Sequence, residues 1–227
     1  MKEKDSLTIT HRDKNPFHKL DAFVQRNIDR GRNRIKEGRK KLGIRNPFNY
    51  VGVLLKDRSV AAIHASSRFL VNRIVRDMHL QTSRRIVEFG AAEGVITHKI
   101  LKGLHSEGFI LAIEKNDRLY RGLASIHDSR LMPVHGDMRN FRKIMDEAGL
   151  GQVDCVVSGI PFSFFSSKER EKLISDVYST LVHGGRFVAY QCTPHLIPIM
   201  RKKFAELNVE VEIRNIPPHF ILTGIKG

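Results

Sequence analysis

The chain reads as an α/β protein with a Rossmann-like, seven-stranded sheet and a basic helical arm in front of it. Three observations predict this. From Arg85 onward, apolar runs of strand length alternate with amphipathic stretches of helix length, the pattern of a parallel sheet covered on both faces. The segment from Ile86 to Thr97 ends an apolar run in an acid, turns through Gly90 and Gly94, and re-enters a helical pattern. Near the C-terminus, two strand-like runs flank Pro217-Pro218, which suits an antiparallel hairpin at the sheet edge.

The elements follow in order. Residues 1–46 form the arm, and Asn46-Pro47 ends it because proline disfavours helix at the residue before it. Residues 47–227 form the main domain. Ser66-Ser67 opens a helix whose apolar face includes Leu70, Ile74 and Met78. Strands are expected over residues 85–89, 109–114, 130–135, 153–158 and 185–191, then near 209–215 and 220–225. Helical patterns fill the gaps, including Lys168 to Leu181 and Leu196 to Leu207. Ligands of such a sheet bind at the carboxyl ends of its strands.

Composition narrows the class. The chain has 227 residues, 41% of them hydrophobic, enough for one sizeable core. No apolar run approaches the roughly 20 residues that span a bilayer, and charges stand where a signal peptide needs its apolar stretch. A cytoplasmic protein, peripheral on the inner membrane face, is the expectation. Cys155 and Cys192 fall in predicted strands without metal-ligand spacing, so they read as buried reduced thiols, and no metal is expected.

The net charge of +15 calls for an anionic partner. Between Arg26 and Arg45 lie Arg30, Arg32, Arg34, Lys36, Arg39, Lys40 and Lys41, against only Asp29 and Glu37. Over residues 17–42, Phe17, Leu20, Val24, Ile28, Ile35 and Leu42 recur at helical spacing. A basic amphipathic helix of this kind favours an anionic membrane surface, with Arg32, Arg34, Lys40 and Lys41 meeting the headgroups. Two other readings stay open: a solvated face on a helix packed against the main domain, and binding to a nucleic-acid backbone.

The glycine loop carries the chemistry. Gly90 and Gly94 let a ligand approach the backbone, and the amides opening the next helix offer donors. Glu114 ends the second strand where a ribose-binding carboxylate is expected. A glycine turn between strand and helix is commonplace by itself, and this one lacks the spaced third glycine of a dinucleotide fingerprint; Glu93 would also repel a diphosphate. The loop resembles the S-adenosylmethionine loop of class I methyltransferases, with Ala92 in place of the middle glycine. Alanine is tolerated there if its φ is negative.

In Gly136-Asp137-Met138 an acid sits beside an apolar residue at a strand end. The resemblance implies that Asp137 bonds the adenine amine and Met138 packs on the ring; capping of the helix that begins near Arg139 explains Asp137 equally well. Ser158-Gly159-Ile160-Pro161-Phe162 ends the fourth strand. Enzymes that methylate exocyclic amines of bases carry Asn or Asp at the position of Gly159. Gly159 has no side chain to accept from a nucleophilic amine.

Taken together, Ala65-Ser66-Ser67-Arg68, Val87 through Thr97, Val157 through Phe162, Leu181-Val182-His183-Gly184-Gly185 and Pro217-Pro218 resemble the bacterial phospholipid N-methyltransferases. These convert phosphatidylethanolamine towards phosphatidylcholine, within the ribosomal RNA adenine dimethyltransferase-like class I methyltransferases. The resemblance spans roughly residues 50–227. It implies S-adenosylmethionine as cofactor, held by Ser66, Ser67, Glu88, Gly90, Ala92 and Gly94 around the loop, and by Glu114, Lys115, Asp137, Met138 and Ser158 beyond it. An aminophospholipid would lie over Ser158, Gly159, Ile160, Pro161 and Phe162, with Phe162 as an apolar wall. The general base is unassigned: His135, Tyr190 and His219 fall near strand ends, where a structural role competes with a catalytic one. Two rivals remain, a ribosomal RNA adenine N-methyltransferase and a non-enzymatic module with a nucleoside pocket.

Overall fold

The computed structural model describes residues 6–10, 19, 22, 23, 26, 29, 67–215 and 218–227. Ser6–Thr10 form β1. Four short strands make the centre of the sheet: β2 (Arg85–Phe89), β3 (Phe109–Glu114), β4 (Leu131–His135) and β5 (Val153–Ser158). β2 pairs in parallel with β3 and β5, and β3 with β4. The interiors of β2, β3 and β5 are covered on both faces, which is why they read as continuous apolar runs rather than alternating ones.

β6 (Leu181–Gln191) joins β5 in parallel and begins earlier than the expected 185–191. Leu181 already pairs with Val153, and a register shift follows before Cys155 meets Arg186. β7 (Glu206–Glu212) and β8 (His219–Ile225) are antiparallel, as expected of the terminal pair. They are not the edge. The order is β1-β7-β8-β6-β5-β2-β3-β4, eight strands rather than seven.

The extra strand comes from the start of the expected arm. β1 runs antiparallel to β7, from Ser6 opposite Glu210 to Thr10 opposite Glu206, and the Ser6 hydroxyl donates to Asn208 Oδ1 at 3.1 Å. It satisfies a row of β7 backbone groups that would otherwise stand open at the edge. Farther along, Lys19, Ala22, Phe23, Arg26 and Asp29 are helical. Phe23 is buried in the main core while Lys19, Arg26 and Asp29 are exposed. The reading of a helix packed against the main domain therefore holds at Phe23, a position outside the apolar stripe read from sequence. Arg32, Arg34, Lys40, Lys41, the boundary at residue 46, Ser66 and Pro217 lie outside the described residues.

Within residues 67–215 of the described part, six helices cover the sheet: α1 (Arg68–Asp77), α2 (Val95–Gly103), α3 (Asp117–Ala124), α4 (Phe141–Glu147), α5 (Ser167–Thr180) and α6 (Ile197–Lys203). Ser67 caps α1 by accepting from Leu70 N, and Leu70, Ile74 and Met78 are buried as the expected apolar face. α6 stops at Lys203 because Glu206 already belongs to β7; Phe204 and Leu207 are buried without being helical. One core layer lies on Val87, Phe89, Val156 and Phe187, the other on Ile86, Ile110, Val157 and Val188.

α1 is tied to the second layer by charge. Arg73 bonds Glu210 and Glu212 at 3.0 Å each, and Arg214 also holds Glu212. The Thr223 hydroxyl donates to Asp77 at 3.0 Å. Among the described residues no helix is long and apolar enough to cross a membrane.

Candidate active site

The carboxyl ends of β2, β3, β5 and β6 converge on one edge, and each contributes a loop. After β2 the chain turns with Gly90 at φ +70°, Ala92 at φ +50° and Gly94 at φ +87°. The expectation that Ala92 keeps a negative φ is overturned. A left-handed alanine costs roughly 1–2 kcal/mol. What holds it is a charge-assisted bond, Ala92 N donating to Glu114 Oε2 at 2.9 Å. Gly90 N donates to Ile113 O at 2.9 Å, which seats the loop on β3. A Cβ on Gly90 would lie 2.9 Å from Ile160 Cγ2, so the loop after β2 is in contact with the loop after β5.

The acids divide into three environments. Glu88 is buried inside β2, and the Thr97 hydroxyl of α2 donates to it at 2.7 Å. Burial raises its pKa to about 7 despite that bond, with Glu114 adding repulsion. Glu114 ends β3 with both carboxylate oxygens engaged by backbone, Ala92 N on one and Asn116 N, at 2.7 Å, on the other. Each oxygen keeps a second lone pair for a ligand hydroxyl.

Asp137 follows β4. It accepts from Arg139 N at 3.0 Å, capping the short turn Met138–Asn140, and from Lys115 Nζ at 2.7 Å. Burial would raise this carboxyl, but Lys115 and Arg139 hold it below its ordinary value. The capping reading of Asp137 is thus realised, while Met138 is buried in the core.

The β5 end departs further from expectation. Ser158 is fully buried, and its hydroxyl has no hydrogen-bond partner among the described residues. Gly159 N donates to Phe89 O at 3.2 Å, which holds this loop beside β2. Phe162, expected to wall the acceptor, is instead fully buried in the core, 5.9 Å from Phe165 and edge-on to Phe187 at 6.4 Å. Arg170 of α5 pins the turn by donating to Phe165 O at 2.7 Å. The ring anchors the loop from below and leaves Ile160 at its surface side, half-buried against Gly90.

β6 brings Tyr190 and Gln191 to the same edge. Gln191 is buried with neither amide atom bonded among the described residues. Beside it runs a chain of polar contacts: Ser67 N donates to Asn215 Oδ1 at 2.9 Å, Asn215 Nδ2 meets His219 Nδ1 at 2.9 Å, and His219 Nε2 lies 3.5 Å from Cys192 Sγ. Gln191, Asn215 and Arg170 carried no signal in the sequence, because isolated polar residues at strand ends and on helices are ordinary there. Of the possible bases, His135 meets Lys115 O at 3.1 Å and stacks on Tyr120 at 4.9 Å. Both cysteines are free; Cys155 lies in β5, whereas Cys192 falls just past β6, its thiol pushed up to about 12 by burial.

The residues present fit S-adenosylmethionine. Two glycines admit a backbone-level approach, Glu114 faces the loop, and a buried hydroxyl and amide stand without partners at the same edge.

The topology and this edge define the class I methyltransferase fold, a Rossmann-like sheet ending in antiparallel strands. A protein of Singulisphaera acidiphila named ornithine lipid N-methyltransferase is 29% identical over 185 residues, covering 79% of this chain and 96% of that protein. The N-methyltransferase NodS of Bradyrhizobium japonicum, in complex with S-adenosyl-L-homocysteine, superposes with a TM-score of 0.57 at 13% identity, covering 70% of this chain and 86% of that one. The O-methyltransferase TomG of Streptomyces achromogenes, in complex with S-adenosylmethionine, gives 0.56 at 14% identity, with coverages of 72% and 82%. No family model matches the chain.

Proposed function

We propose that the protein is an S-adenosylmethionine-dependent N-methyltransferase acting on the primary amine of a membrane aminolipid. Phosphatidylethanolamine and lipids with an amino-acid headgroup share that amine. The observation that carries the reading is the contact between the two loops at one sheet edge, with left-handed Gly90 and Gly94 on one side and side-chain-free Gly159 on the other. Similarity to a protein named for an amino-lipid acceptor, over nearly its whole length, supports the acceptor class.

S-adenosylmethionine, when bound, supplies an electrophilic methyl group on a sulfonium. This chain's residues would do the rest. Glu88, Gly90, Ala92 and Gly94 surround the amino-acid portion, Glu114 takes the ribose hydroxyls, and Asp137 the adenine amine. The loop over Ser158 to Pro161 would receive the neutral acceptor amine and hold it towards the donor loop. Holding nucleophile and methyl group nearly in line is worth several kcal/mol by itself. The basic arm would dock on anionic headgroups through Arg32, Arg34, Lys40 and Lys41 and bring the active edge to the membrane surface.

The test is incubation of the full chain with labelled methyl donor and, separately, vesicles containing phosphatidylethanolamine, vesicles containing ornithine lipid, and bare ribosomal RNA. Label in either lipid is the expected result. Label in RNA alone would overturn the lipid assignment.

A further inference from the structure

We infer that the Tyr190 hydroxyl supplies, from the neighbouring strand, the polar group for the acceptor amine that position 159 lacks. The inference rests on the reading of the protein as an amine methyltransferase and assigns a residue to its acceptor side.

β5 and β6 are parallel, with Ser158 beside Ala189, so the next step along both strands brings Gly159 to Tyr190 where they leave the sheet. A Cβ built on Gly159 would overlap the Tyr190 hydroxyl oxygen. The phenol oxygen therefore stands where a side chain of residue 159 would begin. No hydrogen bond to that hydroxyl is formed among the described residues.

Its distance from the donor side is short in chain terms. Gly159 is bonded to Phe89, and Ile160 packs on Gly90, so Tyr190 reaches the junction of the two loops.

The surroundings fix the ring. His219 lies 6.5 Å away, tilted by 35°. Asn215 Oδ1 accepts from Ser67 N, which turns its Nδ2 towards His219 Nδ1 and leaves the imidazole proton on Nε2, facing Cys192. A phenol held this way can accept an N–H from the amine and leave the nitrogen lone pair directed at the donor loop. Burial, with Glu88 and Glu114 nearby, raises the phenol pKa, so it stays protonated and keeps both donor and acceptor capacity.

Two variants test this on the full chain, with aminolipid vesicles and labelled methyl donor. Tyr190→Phe keeps the ring and its packing, and kcat should fall by roughly tenfold, the value of one hydrogen bond at the reacting group. Affinity for the methyl donor should stay within about twofold, and so should vesicle KM, because the hydroxyl acts on orientation rather than docking. Gly159→Ala should lower kcat in the same direction by pushing the phenol oxygen aside without removing it. Parent-like kcat in Tyr190→Phe, or in a folded Gly159→Ala protein, would overturn the inference and leave the lipid assignment standing. A parent enzyme that labels RNA and not lipid would remove both.

Discussion

The Thr97 hydroxyl reaches across from α2 to the buried Glu88 carboxyl of β2, 2.7 Å away, and is the hydrogen bond that stabilises the charged form of that acid in the fold. It does not fully compensate for burial, and the pKa rises from 4.5 to about 7. For an acid whose folded pKa is raised, ionisation destabilises the fold, so stability falls as pH rises from about 4.5 to about 7 and levels off above. Glu88→Gln removes the ionisation while keeping an acceptor for Thr97. Its melting temperature should exceed that of the parent at pH 8 and match it near pH 4.5, read by calorimetry without methyl donor. Equal melting temperatures at pH 8 would contradict the burial argument.

Glu114 serves two purposes that a pair of substitutions separates. Its carboxylate holds left-handed Ala92 and the amide of Asn116, and the proposed function assigns it the ribose hydroxyls. Glu114→Ala should lose roughly 1.5–3 kcal/mol of methyl-donor affinity, the worth of a hydrogen bond to a charged group. Isothermal titration with S-adenosyl-L-homocysteine measures this, and unchanged affinity would take Glu114 out of the site. Adding Ala92→Gly relieves the left-handed strain and should recover stability but not affinity.

Much of this architecture was legible in the residues. The apolar runs ending at Phe89, Glu114 and Ser158 matched strand boundaries, because fully covered parallel strands leave no polar face to blur the pattern. Ser6–Thr10 was hidden inside a segment whose charge dominated its reading, although Ser-Leu-Thr-Ile-Thr alternates as an edge strand does. Phe162 was misplaced for another reason: a motif gives the order of residues, not the direction in which a ring turns once Phe187 and Phe165 are beside it. The Tyr190–Gly159 relation needs the β5–β6 register, which no single-chain pattern contains.

Gly159→Asn should not convert the enzyme to RNA. The new amide collides with Tyr190, so lipid methylation should fall by at least about tenfold, an effect on the scale of a lost reacting-group hydrogen bond, with no RNA labelling gained. Labelled adenine in ribosomal RNA from this variant, with lipid activity intact, would show that the missing hook does not decide the acceptor.

The ion pairs under α1 predict stability without chemistry. Arg73→Ala withdraws one guanidinium from both Glu210 and Glu212, the latter fully buried. Each acid keeps a second guanidinium, Arg76 on Glu210 and Arg214 on Glu212, so the cost should be about 1.5–3 kcal/mol, that of charge-assisted hydrogen bonds lost without leaving a charge alone. Urea denaturation should show that loss at pH 7.

The arm offers a choice between two surfaces, and charge alone cannot make it, since lipid headgroups and RNA phosphates attract the same residues. Phe23 is buried in the main core, and the apolar stripe read from sequence, Val24, Ile28 and Ile35, is the part whose substitution separates the cases. Membrane docking needs apolar insertion as well as charge; phosphate binding does not. Replacing Val24, Ile28 and Ile35 by serine should therefore reduce co-sedimentation with anionic vesicles and lipid methylation while methyl-donor affinity persists. Neutralising Arg32, Arg34, Lys40 and Lys41 should have the same effect and flatten the salt dependence. If the serine variant sediments with anionic vesicles as the parent does, the arm is a packed or phosphate-facing element, and the membrane role loses its physical basis.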